Sequence, residues 1–279
     1  MIVEREERST SNRRFGLRLA DGSRIEAVLY RGDTLCLSTQ VGCAVRCPFC
    51  ASGSRGLGRH LSLQELQAQV EVVAQRATLR RLTLSGIGEP LHNHAATTAL
   101  LHWARTQGLP TSVTTSGGPL PRLRQWLRLP HNGLTVSVHA GSETVRARAV
   151  PKGPPLAALF ATLGEELPSL SARKRKKTAL AYLLVAGLND TDEELDAFAA
   201  RAAPLGARVH LYALNPTDAS PLRPVGRARY EAAYERLRAA GLRVQRSSKA
   251  RTERNGGCGT LLALNARGQG ARRRRESTR

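Results

Sequence analysis

The sequence predicts an α/β protein whose parallel strands form an open or partial (β/α) barrel. Three observations carry this. From residue 34 onward, apolar β-like runs alternate with helical patterns, as a parallel sheet with covering helices requires. About six such units precede a final strand, which is short of a complete eight-fold barrel. There is no internal repeat and no long linker, so one catalytic domain (34–265) is expected behind a short β extension (1–33). A doubly wound sheet is the alternative arrangement.

In order, the extension reads as strands, because "RFGLRLADGSRIEAVLY" alternates apolar and polar residues around a turn at Asp21-Gly22. The strand-like runs that follow are "TLCLS", "RRLTLS", "TSVTT", "LTVSVH", "TALAYLLV", "RVHLY" and "LRVQRS". Helical stretches lie near 63–76, 94–107, 119–128, 155–167, 192–203 and 226–240. The first opens on a capping box, Ser62 to Glu65. The fifth opens at "NDTDEEL", with Asp190 or Thr191 as N-cap and acids in its first turn. In such folds chemistry gathers at the carboxyl ends of the strands.

The 279-residue chain carries 43 basic and 22 acidic side chains, a formal charge of +21 that points to a polyanionic partner. Only five of the basic residues are lysine, so a codon bias toward arginine can supply part of the charge, though not the shortage of acids. "RKRKK" (Arg173 to Lys177) precedes a strand-like segment and "RRRR" (Arg272 to Arg275) lies in a polar tail, 266–279, expected to be disordered; either can touch phosphates without sequence preference, the alternative being a solvated loop and a fraying tail. No run of about eighteen apolar residues and no secretory h-region occurs, so the expectation is a cytoplasmic protein with no membrane partner. There, clustered cysteines are more often metal ligands or redox groups than structural disulfides.

Four of the five cysteines, Cys36, Cys43, Cys47 and Cys50, fall within fifteen positions, and the fifth is Cys258. Cys43-x3-Cys47-x2-Cys50 follows a strand, so three thiolates can wrap one face of a metal centre. Structural zinc takes four ligands, and His60 is a candidate fourth. A cubane iron–sulfur cluster held by three thiolates keeps one iron open for a ligand. Cys36 alone reads as a small buried apolar residue in a strand. Cys258, among the glycines of "NGGCGT", reads instead as part of a loop close to a ligand.

This cysteine spacing after the first strand of a partial barrel resembles the radical S-adenosylmethionine (SAM) superfamily. The resemblance narrows to the RlmN/Cfr-type RNA adenine methyltransferases. "TLCLSTQVGCAVRCPFCASGSRGLGRHLS", "SGIGEPLHN", "VTTSGGP", "VSVHAGSETVRARAVP", "VAGLNDTDEE", "LNPT" and "GGCGTLL" occur in that family's order over about residues 24–262. The resemblance implies a partial (β/α)6 radical SAM barrel in which Cys43, Cys47 and Cys50 hold a [4Fe-4S] cluster. It implies two SAM molecules per turnover, one as methyl donor and one as source of a 5′-deoxyadenosyl radical. Cys258 is similar to the cysteine that carries the methyl group, and Cys36 to the one that resolves the covalent adduct. A Cys36–Cys258 disulfide would then need a thiol reductant, and the cluster an electron donor such as a flavodoxin or ferredoxin.

The same resemblance assigns Gly88, Glu89, Thr114, Ser137, His139 and Asn215 to SAM binding, and Glu26 to general-base work. Thr114 stands where serine is usual. The chain starts almost at the β extension, without the family's N-terminal helical domain, and "ARTERNGG" replaces the usual acids before the methyl-carrying cysteine. The substrate implied is an RNA adenosine, favoured in 23S ribosomal RNA and at C2 over C8, in a strand that lets the base splay out. The alternatives are a transfer RNA or another polymer as substrate, or a non-catalytic RNA-binding protein with a structural metal site.

Overall fold

The computed structural model describes residues 1–253, 255, 256 and 259–264. Cys258 and the tail 266–279 lie outside the described residues. Three strands come first, β1 (Ile2–Arg8), β2 (Asn12–Arg18) and β3 (Arg24–Tyr30), paired antiparallel. β4 (Thr34–Leu37) pairs antiparallel with β3 and then begins the parallel part of the sheet. A small hairpin follows, β5 (Gln40–Gly42) and β6 (Leu57–His60), with the loop bearing Cys43, Cys47 and Cys50 between its strands.

The alternation expected from the sequence then runs through α1 (Leu63–Ala74), β7 (Arg81–Leu84), α2 (His94–Thr106), β8 (Thr111–Thr115), α3 (Leu120–Arg128) and β9 (Gly133–Ser137). Three helices separate β9 from β10 (Thr178–Leu184): α4 (Glu143–Ala149), α5 (Leu156–Ser169) and α6 (Ala172–Lys176). The chain continues through α7 (Asp192–Ala202), β11 (Arg208–Ala213), α8 (Arg227–Ala239), β12 (Arg243–Arg246) and α9 (Lys249–Thr252). The capping box at Ser62 forms, and Thr191 rather than Asp190 caps α7. "RKRKK" is not a loop: Arg173 to Lys176 wind into α6, capped by Ser171.

Among the described residues one sheet holds ten strands in the order β1-β2-β3-β4-β7-β8-β9-β10-β11-β12. Seven of them, β4 and β7 to β12, run parallel. β1 and β12 stand at opposite edges, so the sheet is open. Its two faces differ as period-2 alternation dictates. Leu35, Leu84, Leu134, Val136, Leu180 and Val209 are at most 1% exposed and join the core shared with the helices. Each such burial stabilises by roughly 1.5–3 kcal/mol. The alternate residues, among them Cys36, Thr83, Thr114, Thr135 and His210, line an inner cavity of about 820 Å³. The helices drive folding from outside while the inner face is left polar for a ligand.

Candidate functional site at the strand carboxyl ends

The three clustered cysteines sit on one loop packed against the apolar residues that close the strand carboxyl ends, Val185, Leu214 and Val150 among them. Phe49 meets the His139 ring edge-on, with centroids 5.4 Å apart, and so seats the loop on the end of β9. Burial pushes the Cys43 thiol up to about 12, and the charges of Glu89 and Cys50 push the same way. Burial also drives Cys47 well up, reinforced by Cys50 and Cys43 and opposed by Arg146. Three thiols that disfavour one another's ionisation fit a cationic centre, which takes the place of the protons. Among the described residues no three His, Cys, Asp or Glu side chains are placed to hold a single metal ion. A cubane cluster spreads its thiolates over different irons and does not ask for that convergence. His60, the candidate fourth zinc ligand, has its Nδ1 2.9 Å from Gln40 Nε2. The donor set therefore fits a cluster better than a zinc knuckle.

Beside the loop lies the "SGIGEP" turn. Gly88 has φ +106°, and a Cβ there would lie 2.7 Å from Gln40 side-chain atoms; one at Gly86 would meet the backbone of Leu37 and Ser38. The room the glycines provide is thus filled by the protein itself, which leaves the backbone as the part of Gly88 that can face a ligand. Glu89 is 4% exposed. Its Oε1 accepts from Leu91 N at 3.0 Å and Thr115 Oγ1 at 2.6 Å, and its Oε2 accepts from Ser116 N at 2.7 Å. A carboxylate has about four acceptor positions, so one remains on Oε2 for an incoming ammonium. Ser116 Oγ is buried with no partner among the described residues, a polar atom placed for a ligand. These features fit SAM.

The remaining strand-end residues divide by alternation. Thr114 lines the cavity, while its neighbour Thr115 turns away to Glu89. Ser137 ends β9, and its carbonyl accepts from Arg146 at 2.7 Å. His139 is left-handed at φ +58°. Its Nδ1 accepts from Leu183 N at 2.9 Å, which puts the ring proton on Nε2. Burial, with Arg146 adding to it, pushes His139 down to about 3, so the ring stays neutral. Asn215 Nδ2 donates to Arg251 O at 2.7 Å.

Cys36 opposes Val28 and Thr83 in the sheet and lines the cavity. Gly256 and Leu261, on either side of Cys258 in sequence, line the same cavity. Ala51, next to Cys50, donates to Gly259 O at 2.8 Å. Glu26 is not in the cavity wall: its Oε1 pairs with Arg5 at 2.9 Å, and its Oε2 accepts from Leu262 N at 2.9 Å.

The sequence reading missed three residues here. Arg146 is 1% exposed and donates to the carbonyls of Ser137, Val138, Ser116 and Pro154. Asn189 holds the carbonyls of His139 and Leu183. Gln40 accepts from Glu89 N at 2.7 Å. Arg146 and Asn189 lay inside quoted motifs, but no local pattern separates Arg146 from exposed Arg148.

Comparison with known proteins agrees with this geometry. Residues 37–202, more than half of the chain, match the Radical SAM superfamily. The chain is 34% identical over 249 residues to the dual-specificity RNA methyltransferase RlmN of Sorangium cellulosum, covering 84% of this chain and 62% of that protein. It is 34% identical over 271 residues to the RlmN of Solidesulfovibrio magneticus, covering 90% and 75%. The chain thus spans roughly two-thirds of such relatives' length. A radical SAM methyltransferase structure from Sphaerobacter thermophilus superposes with TM-score 0.84 at 31% identity, over 93% of this chain and 80% of that one.

Proposed function

This chain belongs to the radical SAM superfamily and, within it, to the RNA methyltransferases of RlmN type, and on that footing we propose that it methylates an adenosine carbon in RNA. C2 is favoured over C8 and 23S ribosomal RNA over transfer RNA. The observation that supports the reading is the position of Cys36. Cys36 lines a cavity whose wall also includes Gly256 and Leu261, the residues that bracket Cys258, and the cluster loop is tied to that segment through Ala51 and Gly259.

Cys43, Cys47 and Cys50 would hold a [4Fe-4S] cluster, and SAM would lie against Gly88, Glu89, Thr114, Ser137, His139 and Asn215. The two groups, when bound, supply the methyl group and the one-electron chemistry that makes it reactive. The chain's own residues do the rest. Glu89 offers its remaining acceptor position to a cationic group. The His139 Nε2–H donates to an acceptor, as a neutral ring must. The Cys258 thiolate would take the methyl group, and the Cys36 thiolate would later attack the Cys258 sulfur, breaking that sulfur's bond to the transferred carbon, which keeps the bonding pair, takes up a proton and leaves on the base as the product's methyl group. Each turnover then uses two SAM molecules, an electron donor such as a flavodoxin or ferredoxin, and a thiol that reduces the disulfide, as in a reducing cytoplasm. We assign Glu26 to holding the C-terminal segment through Leu262 rather than to proton transfer. Among the described residues no helix is long and apolar enough to cross a membrane.

The test is anaerobic reconstitution with iron, sulfide and SAM, followed by mass measurement of the Cys258 peptide. One methyl group on Cys258 and on no other cysteine is expected. In Cys36→Ala, incubation with RNA should trap a covalent protein–RNA adduct. An unmodified Cys258 in protein that cleaves SAM would sink the proposal.

A further inference from the structure

The charge of +21 is not spread evenly. Among the described residues, arginines such as Arg18, Arg59, Arg124 and Arg236 are paired with acids, and these lie outside the cavity wall. Around the lower mouth, where the parallel strands begin, the pattern reverses. Arg81 and Arg208 are the first residues of β7 and β11, Lys176 and Lys177 lead into β10, and Arg31 turns into β4; all five line the cavity. Arg31, Arg81, Lys176 and Arg208 are exposed, and among the described residues none of the four has a side-chain hydrogen bond or ion pair. Lys177 makes one long contact, 3.4 Å to His131 O. Among the described residues the one acid in the cavity wall is Asp33, which accepts from Thr34 Oγ1 at 2.8 Å. Unpaired cations that converge on one opening repel one another, and an anion spanning them relieves the repulsion.

Depth matches as well as charge. From Arg81 to Ser85, or from Arg208 to Tyr212, is four residues, about 13 Å at ~3.3 Å per residue. Both ends of each run line the same cavity, which therefore extends from the cationic mouth to the level of Cys36 and the strand carboxyl ends. Its volume of about 820 Å³ suits a small organic group. The wall between is hydroxyl-rich, with Thr83, Ser112, Thr114 and Thr135, and so offers donors and acceptors to a base edge rather than an apolar slot.

We propose that this lower mouth is a phosphodiester collar. A single strand of RNA lies across it, with backbone phosphates on Arg31, Arg81, Lys176, Lys177 and Arg208, and one splayed nucleotide enters the barrel from the strand amino ends. This rests on the RNA-directed reading above and adds the route and the contacts. The collar reads charge and not sequence, so base identity is left to the hydroxyl-lined interior.

The experiment is fluorescence anisotropy of the full-length protein with labelled oligouridine, which has a backbone but no adenine. Arg81→Ser/Arg208→Ser should weaken binding about tenfold and flatten the salt dependence by about 1.4 in log–log slope, two contacts at ~0.7 each. Arg81→Lys/Arg208→Lys should keep both, which separates lost charge from misfolding. Arg148→Ser/Arg227→Ser, exposed arginines outside the cavity, should change neither by more than about twofold. Equal losses in the two serine pairs would overturn the collar, as would duplex RNA or inorganic phosphate displacing the strand as well as free oligouridine does. Methylation of Cys258 in the wild-type protein needs no RNA, so its failure counts against the proposed function and not against the collar.

Discussion

The two mouths of the barrel are built on opposite physical terms. At the strand carboxyl ends, charged and polar groups are buried and almost fully bonded: Arg146 on four carbonyls, Glu89 on three donors, Asn189 on two carbonyls. At the strand amino ends, Arg31, Arg81, Lys176 and Arg208 are exposed and, among the described residues, without side-chain partners, and Lys177 makes only its long contact to His131 O. A buried, satisfied network fixes geometry, because every displacement breaks several bonds. An exposed cationic ring fixes nothing by itself and acts at a distance, screened by salt. The upper mouth is thus made for reaction and the lower for capture.

The comparison breaks most readily at Arg146. Arg146→Met should cost about 3–5 kcal/mol in urea unfolding, because buried carbonyls of Ser116, Ser137 and Val138 lose their donors. A loss below about 1 kcal/mol would mean that the upper network is not rigid. Glu89→Gln should cost about 2 kcal/mol, since an amide NH2 then opposes a donor it replaced an acceptor for, and calorimetry should find SAM binding lost in the reconstituted protein.

His131 sharpens the contrast, because it is a buried group near the lower mouth. Burial holds it down to about 4, with Lys174 and Lys177 adding to the effect. Its folded value lies below the ordinary one near 6.5, so the unfolded chain takes up the proton first. Its contribution is therefore complete above about pH 6.5 and is lost as pH falls toward 4, by up to ~1.4 kcal/mol per pH unit. His131→Phe should flatten stability against pH in that window. The smallest effect is expected at the collar itself. Arg81→Ser/Arg208→Ser should shift unfolding by no more than about 0.5 kcal/mol in either direction, as suits exposed groups without partners.

Much of this was legible in sequence. Long periodic elements such as α1 and β10 repeat their pattern enough times to be read, and the cysteine spacing marked the cluster loop. Short elements were not. β5 has three residues, and it depends on Gly42 lying against the Gly56 carbonyl, where a Cβ would come within 2.0 Å, a contact made by the fold and not by a pattern. α6 was hidden because four consecutive basic residues look solvated whether helical or not. At β8 the expectation named Thr114 for the site; alternation puts Thr114 in the cavity wall and adds Thr115, which no pattern marked, on Glu89. The collar was illegible for a further reason: Arg31, Arg81, Lys176 and Arg208 are scattered along the chain and meet only because parallel strands align their starts.

An open sheet also has ends. β1 and β12 each pair with a single neighbour among the described residues and present a free row of amides and carbonyls. Such rows invite a second copy to add a strand. Here they read "IVEREER" and "RVQR". Glu4 and Glu6 of β1 are tied to arginines of β2 and β3, and Arg246 of β12 to Glu231 of α8. A second copy would have to bring its own fixed charges against these, so both borders oppose the edge-to-edge addition of a strand.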